Sequence, residues 1–237
     1  MMSVGTALSS IDAAFWRLST NRRILRVLYY GWIAFPLPIR KPLTALGILA
    51  LLGAKKLTGV NRRHDPTPAN RVLSLSFWGV PPVDLETYTL RVDGLVNNPA
   101  ELSFQDLLSL PSVERQIRMD CVGGFRNNTV MRGVLVGDLL QRVSPKPEAE
   151  TAIFSCADGY HTTHRLADLL AAEALLAYQV NGEAIERFGY PLRLAAPGTY
   201  GYKWAKWLVR IELVSGFPSG HWDRLGLPKR GKVGDLW

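Results

Sequence analysis

The chain is poor in the residues on which most metal and nucleotide sites depend. Its 237 residues include two cysteines and four histidines, and these show neither HExxH spacing nor paired CxxC spacing. Two cysteines are too few for a disulfide framework or a four-cysteine zinc site. The sequence also lacks a GxGxxG turn and a GxxxxGK[ST] loop, which excludes the usual dinucleotide and nucleoside triphosphate cradles.

Acidic residues are nearly absent from the first quarter of the chain. Residues 1–64 hold ten Lys and Arg but only one acid, Asp12, whereas residues 65–237 hold 18 basic and 19 acidic residues. The net charge of +8 and the pI near 9.7 therefore come from the N-terminal quarter. Because nucleic-acid binding needs a basic face on the folded domain, no nucleic-acid partner is expected. The composition predicts one globular domain, 65–237, behind a basic, apolar leader, 1–64.

No uncharged apolar run in the leader reaches the roughly 20 residues of a membrane-spanning helix. The two longest runs, 27–39 and 43–54, are separated by Arg40, Lys41 and Pro42. Prolines at 36, 38 and 42 are expected to break a continuous helix. Basic residues that flank aromatic-rich apolar segments favour a position in the membrane interface, so we expect membrane association, on a side the sequence does not identify.

Two alternatives remain open for the leader. The apolar runs could pack onto the folded domain as a hydrophobic arm, because short apolar runs are often core helices. Residues 21–25 (NRRIL) also resemble a degenerate twin-arginine signal, which would imply export to the periplasm.

Beyond residue 65, short strands and short helices alternate without a regular βαβ period, which predicts an α+β fold with mixed sheets. A hairpin turn is expected at Asn181-Gly182, and the Gly- and Pro-rich tail, 217–237, is expected to wrap the surface. The predicted strands are 86–93, 113–122, 152–156, 175–180, 192–196 and 207–214, and the predicted helices are 104–110, 135–143 and 165–172.

Cys121 is the strongest local candidate for chemistry. It ends a predicted strand ahead of Gly123 and Gly124, which leave room for a large ligand beside the backbone. Arg118 and Arg126 are near in sequence, and guanidinium groups favour the thiolate, the form that ligates soft metals or attacks electrophiles. On these local features alone, a buried and inert core thiol remains the alternative.

Eight sequence blocks, in order between Val80 and Ser215, resemble the molybdopterin-binding domain of the sulfite oxidase family. They are 80–84, 90–96, 118–124, 132–134 with 138–140, 158–163, 181–183, 191–194, and 200–203 with 206–208. Each block alone is weak evidence for the resemblance, but the set of eight in the family's order is specific to this family.

This resemblance implies an α+β domain that binds molybdenum-molybdopterin, with Cys121 as the protein's molybdenum ligand and Arg126 as a catalytic arginine beside the metal. Arg193 and Lys206 match cofactor-anchoring positions and suit a phosphate, Arg as a bidentate donor and Lys as a point charge. The cofactor-binding residues that it implies are Ser76, Phe77, Cys121, Cys156, Phe188, Arg193, Lys203 and Lys206.

The departures from the family pattern concern the substrate. Leu75 stands where sulfite oxidases place a substrate-binding arginine, and Phe77 and Phe188 stand where polar residues are common. These changes make the pocket more apolar than a sulfite site should be. The resemblance therefore favours oxygen-atom transfer in the direction of sulfoxide reduction, as in the bacterial protein-methionine-sulfoxide reductases.

Sulfite oxidation is the first alternative, and a non-catalytic, membrane-associated protein that keeps the fold is the second. A single-cofactor enzyme of this size needs an electron partner, and a membrane-bound haem or quinone protein would account for the apolar leader.

Overall fold

The structure, a computed structural model, describes residues 22–58, 67–68, 72–74, 76, 79–123 and 125–234. Two residues discussed above, Leu75 and Phe77, lie outside the described residues, as do Gly124 and the predicted boundary at residue 64.

Two β-sheets form the body. The five-stranded sheet has the order β2-β1-β9-β5-β6 and the four-stranded sheet has the order β3-β4-β7-β8. β1 and β9 pair in parallel, whereas the other neighbouring strands are antiparallel. The strands are β1 (Thr89–Gly94), β2 (Ala100–Ser103), β3 (Val113–Asp120), β4 (Arg126–Leu135), β5 (Thr151–Cys156), β6 (His161–Arg165), β7 (Leu175–Val180), β8 (Arg193–Ala195) and β9 (Leu208–Val214).

Five short or medium helices complete the described fold. They are α1 (Arg22–Ile33), α2 (Leu37–Thr58), α3 (Phe104–Ser109), α4 (Val136–Val143) and α5 (Leu166–Ala171). α3 begins at a capping box, in which Ser103 and Asp106 satisfy each other's backbone N–H groups. α4 buries one apolar face through Val136, Leu139 and Val143. Mixed sheets with short helices confirm the predicted α+β class.

Several predicted boundaries were wrong for local reasons. The strand predicted from residue 86 begins at Thr89, because the Asp84 carboxylate accepts hydrogen bonds from the Glu86 N–H and the Thr87 hydroxyl and holds a turn there. The strand predicted to end at residue 122 ends at Asp120, because the chain turns through Cys121. β2, β4 and β6 were missed.

The first two helices form a helical hairpin, residues 22–58. The break expected at the prolines occurs at residues 34–36, up to Pro36, but Pro38 and Pro42 do not interrupt the helix, because α2 continues through both. Proline at the sixth position of a helix removes only one hydrogen bond, to the carbonyl of Pro38, and Pro38 is exposed, so water can replace it. Among the helices described, none has the length and hydropathy needed to cross a membrane.

His164 on β6 is a buried histidine whose pKa is strongly lowered. Its Nε2 lies 2.8 Å from the carbonyl oxygen of Lys203, so this nitrogen carries the proton that it donates. Burial, followed by repulsion from Lys203, lowers the pKa of His164 from 6.5 to about 3. The folded chain therefore keeps this ring neutral at pH values where the unfolded chain protonates it.

We expect His164 to make the protein sensitive to acid. As pH falls from 6.5 towards 3, the unfolded chain binds a proton that the folded chain does not, so the free energy of unfolding falls. His164→Gln should remove up to about 1.4 kcal/mol per pH unit from this dependence. Urea unfolding at pH values on either side of 6.5 measures the effect, and an unchanged pH dependence in the variant would contradict it.

Candidate cofactor site

A cavity of about 280 Å³ lies where the end of β3 approaches β8 and residues 73, 74 and 76. Five residues expected in the site line it: Ser76, Cys121, Phe188, Arg193 and Lys206. The rest of its wall is mostly aromatic and apolar, and includes Met119, Phe125, Tyr160, Tyr202, Trp204 and Trp222.

Cys121 is held in a tight turn between β3 and β4. Its N–H donates to the carbonyl oxygen of Phe125 over 2.9 Å, and the N–H of Gly123 donates to its Sγ over 3.3 Å. These two hydrogen bonds fix the position of the sulfur. The side chain is 7% exposed and lines the cavity, so a bulky soft metal centre in the cavity would meet this sulfur.

Lys206 also lines the cavity. Its Nζ donates to the hydroxyl oxygens of Ser74, at 2.9 Å, and Ser76, at 2.7 Å. The segment that carries both serines is fixed by Asn127, whose side chain accepts from the N–H of Leu73 and donates to its carbonyl. The two serine hydroxyls therefore position the lysine ammonium at the cavity wall.

Arg193 is buried between two aromatic rings. Its guanidinium carbon lies 4.1 Å from the ring centre of Phe188 and 5.5 Å from that of Trp204. Nη1 donates to the carbonyl oxygen of Phe188 over 2.7 Å, but Nε is buried without a hydrogen-bond partner. A buried donor without a partner is costly, so this arginine is arranged for a ligand that accepts hydrogen bonds.

Burial disfavours the charged forms of Lys206 and Arg193, and the Arg193 charge adds to this effect at Lys206. Burial, followed by repulsion from Arg193, lowers the pKa of Lys206 to about 7, and burial lowers the pKa of Arg193 to about 9. An anion bound between them would reverse both shifts, because a nearby negative charge favours the charged forms of both side chains. This part of the cavity is therefore built for an anionic group such as a phosphate.

Arg126 is not among the residues that line the cavity. Its Nε donates to Oδ1 of the buried Asp120 over 2.7 Å, and Arg118 approaches the other oxygen of that carboxylate at 3.5 Å. Asp120 and Arg126 are paired across the ends of β3 and β4. In this structure Arg126 braces the base of the Cys121 turn, and its contact with a substrate stays a prediction.

Lys203 is fully buried but is directed away from the cavity wall. Its Nζ donates to the carbonyl oxygen of Lys229 over 2.8 Å and lies 3.9 Å from Asp223. Burial lowers the pKa of Lys203 to about 8, and the Asp223 charge opposes that shift. Its contacts attach the C-terminal tail to the body, so the predicted cofactor contact finds no geometric support here.

Cys156 lies behind Lys206 at the end of β5 and is not part of the cavity wall. Its sulfur accepts the backbone N–H of Lys206. Burial, followed by the charge of Asp158, raises the pKa of its thiol well above its usual range. The two cysteines therefore differ in kind: Cys121 faces the cavity, whereas Cys156 is a protonated thiol in the core.

Several residues that line the cavity were not predicted from the sequence, among them Ser74, Trp204, Trp222 and Ile48. Ser74 could have been found, because it is two residues from Ser76 and residues spaced by two share a face of an extended segment. Trp204 and Trp222 carry no local signal, since they reach the cavity only through the tertiary fold. Ile48 is the least expected, because it comes from the predicted leader.

The residues present fit an anionic, sulfur-ligated cofactor. The cavity offers one thiol, two buried cations and an unsatisfied guanidinium nitrogen within a largely aromatic and apolar wall.

The family model of the oxidoreductase molybdopterin binding domain matches residues 77–222. The chain belongs to this family. It is a molybdopterin-dependent oxidoreductase of the sulfite oxidase type, and its cofactor is molybdenum-molybdopterin.

Several relatives support this assignment. The chain is 37% identical over 156 residues to "Uncharacterized oxidoreductase YuiH" of Bacillus subtilis, a match that covers 65% of this chain and 77% of that protein. It is 30% identical over 180 residues to the protein-methionine-sulfoxide reductase catalytic subunit MsrP of Xanthomonas axonopodis, covering 69% of this chain and 53% of that protein. The chain thus spans most of the Bacillus protein but about half of MsrP.

A solved structure shows the same fold. The sulfane dehydrogenase SoxCD from Paracoccus pantotrophus matches with a TM-score of 0.62 and 24% sequence identity, over 66% of this chain and 45% of that chain. This likeness confirms the molybdopterin-binding fold expected from the sequence blocks.

Proposed function

We propose that this oxidoreductase transfers an oxygen atom at a molybdenum held by Cys121, in the direction of sulfoxide reduction. The observation that carries the proposal is the cavity itself. The Cys121 thiol and the buried cations Arg193 and Lys206 all line it, so a molybdopterin could be held at its metal and at its phosphate.

Each of these side chains has a separate task. Cys121 would supply the protein's one thiolate ligand, in a turn stiffened by the Asp120–Arg126 ion pair. Arg193 would donate its free Nε–H to the phosphate, and Lys206 would add a point charge beside it. When bound, the cofactor supplies two-electron oxygen-atom transfer chemistry.

The wall of the cavity favours a sulfoxide over sulfite. Sulfite is an anion and needs a cation in the substrate site, but the two lining cations that we assign are both engaged in cofactor binding. Arg126 is held by Asp120 away from the wall. A neutral, partly apolar sulfoxide side chain suits a wall built from Phe125, Tyr202 and Trp222.

Reduction of a sulfoxide consumes two electrons and two protons and releases a sulfide and water, so the enzyme needs an electron donor. We propose a haem or quinone protein in the membrane as that donor. Among the relatives, MsrP is described as a catalytic subunit and the Azospira oryzae protein YedZ1 as a subunit, which is compatible with a second protein.

The test compares both reactions on the purified holoenzyme. Methionine sulfoxide reduction is measured with a reduced viologen dye as electron donor, and sulfite oxidation with ferricyanide as acceptor. We expect the sulfoxide reaction to be faster by more than about tenfold. The opposite ratio would overturn the proposed direction in favour of a sulfite dehydrogenase, and a stable, metal-free chain from a molybdenum-replete host would overturn the proposal altogether.

A further inference from the structure

The helical hairpin, residues 22–58, has two faces of different character. Its inner face packs on the body: Tyr29 and Ile48 are buried against Tyr200, Tyr202 and Leu225. A hydrogen-bond relay fixes the contact, because the indole Nε1 of Trp32 donates to the Thr44 hydroxyl and that hydroxyl donates to the carbonyl oxygen of Leu225. Ile48 also lines the cofactor cavity.

The outer face of the helical hairpin is apolar and exposed. Nine of the 15 large apolar side chains that are exposed in the described residues belong to this segment. Val27 is 72% exposed, Leu46 is 64% exposed and Leu49 is 51% exposed. Monomeric soluble proteins seldom expose so much contiguous apolar surface, and such patches mark an interaction site.

The charge of the helical hairpin indicates what covers this face. Residues 22–58 contain seven Arg and Lys and no Asp or Glu. On α2, Arg40 and Lys41 precede the apolar stretch 42–54, and Lys55 and Lys56 follow it. An apolar helix face bracketed by basic residues fits the boundary of an anionic bilayer, where acyl chains take the apolar side chains and headgroups take the charges.

A second copy of the chain fits this face less well. Two such hairpins placed face to face would bring together 14 positive charges with no negative charge from the same segments. A spanning arrangement is not needed, since a helix that packs on the body along one side can lie flat in the interface.

We propose that the outer face of the helical hairpin docks on an anionic lipid bilayer and holds the cavity wall that contains Ile48 at the membrane surface. This inference goes beyond the proposed reaction and does not depend on its direction. It implies that an electron donor in the membrane would meet the enzyme on the side where the helical hairpin covers the cofactor cavity.

The test uses the full-length holoenzyme and vesicles of phosphatidylcholine with or without phosphatidylglycerol. The wild-type protein should sediment with the phosphatidylglycerol vesicles, and less so at high salt. Leu46→Glu combined with Leu49→Glu should weaken this binding by at least about tenfold. The matched control is Leu170→Glu, because Leu170 is 50% exposed on α5 of the body; it should leave vesicle binding unchanged.

Molybdenum content and thermal unfolding show whether each variant is folded, and they separate a failure of docking from a failure of the cofactor site. Should the double variant not fold, Val27→Glu on α1 tests the same face. Equal vesicle binding by wild type and folded variants would overturn the proposal. No binding to protein-free vesicles would also overturn it, and a dimer disrupted by the same substitutions would then identify a second copy as the occupant.

Discussion

Replacing Cys121 by alanine is expected to reduce the molybdenum retained by the purified chain by more than about tenfold, since even partners of metal ligands change affinity by about 10–100-fold. Cys121 is the cysteine whose sulfur lines the cavity, and its turn is fixed by the Phe125 carbonyl and by the Gly123 N–H. Without this thiol, the two buried cations can still hold the pterin phosphate. We therefore expect metal to be lost more completely than pterin, and both are measured on the same sample.

Cys156→Ala is the matched control for that substitution. Both cysteines are buried and neither forms a disulfide, but Cys156 lies outside the cavity wall and burial keeps its thiol protonated. The control should cost stability, by about 1 kcal/mol for the lost core volume, and keep its molybdenum. Retention of metal in Cys121→Ala, or equal loss in both variants, would contradict the assignment of Cys121 as the ligand.

Strands whose burial follows hydrophobicity could be predicted from the sequence. β7 was predicted with its observed bounds, because it is a continuous apolar strand that ends at Asn181-Gly182, where both residues have positive φ. β6 was missed because its sequence, HTTHR, is polar, although Thr162, Thr163 and His164 are buried. Thr163 and His164 are satisfied by hydrogen bonds to the distant carbonyls of Pro218 and Lys203, which local sequence does not reveal.

The residues of the candidate site were also predictable only in part. The ordered sequence blocks that resemble the sulfite oxidase family located Cys121, Arg193 and Lys206. The fold brings these three residues to one cavity. The blocks could not separate Lys206 from Lys203, three residues earlier. The short helical turn Gly201–Lys203 ends between them, at Trp204. The Nζ of Lys203 therefore reaches the carbonyl oxygen of Lys229, whereas that of Lys206 reaches the hydroxyls of Ser74 and Ser76. Direction of a side chain on irregular backbone is set by tertiary packing and is not encoded in spacing.

The leader was the least predictable part. Composition indicated an appendage, but within its described part, residues 22–58, one face packs onto the body and Ile48 reaches the cavity wall. The hydrophobic-arm alternative was therefore correct for that face. The periodicity of α2 alone could not show this, because its outer face is as apolar as its inner one.

Gly189→Ala is expected to weaken cofactor binding by at least about tenfold, because glycine lets backbone approach closely where any side chain would intrude. Gly189 has φ of 113°, and an added Cβ would lie 2.9 Å from Cβ of Arg193 and 3.0 Å from Cβ of Lys206. Both contacts involve the Cβ atoms of Arg193 and Lys206, so rotation of the outer part of either side chain cannot relieve them. One or both cations must move away from the phosphate position.

Gly182→Ala is the control that separates displacement of Arg193 and Lys206 from the effect of backbone strain. Gly182 also has a positive φ, 76°, but an added Cβ there meets nothing within 4 Å. Alanine at either position should cost about 1–3 kcal/mol of stability through the strained backbone, whereas only Gly189→Ala should lose pterin. Pterin content after gel filtration and thermal unfolding are measured for both. If Gly182→Ala lost as much pterin as Gly189→Ala, strain would explain the loss, and the close approach that brings Arg193 and Lys206 together would not be what holds the phosphate.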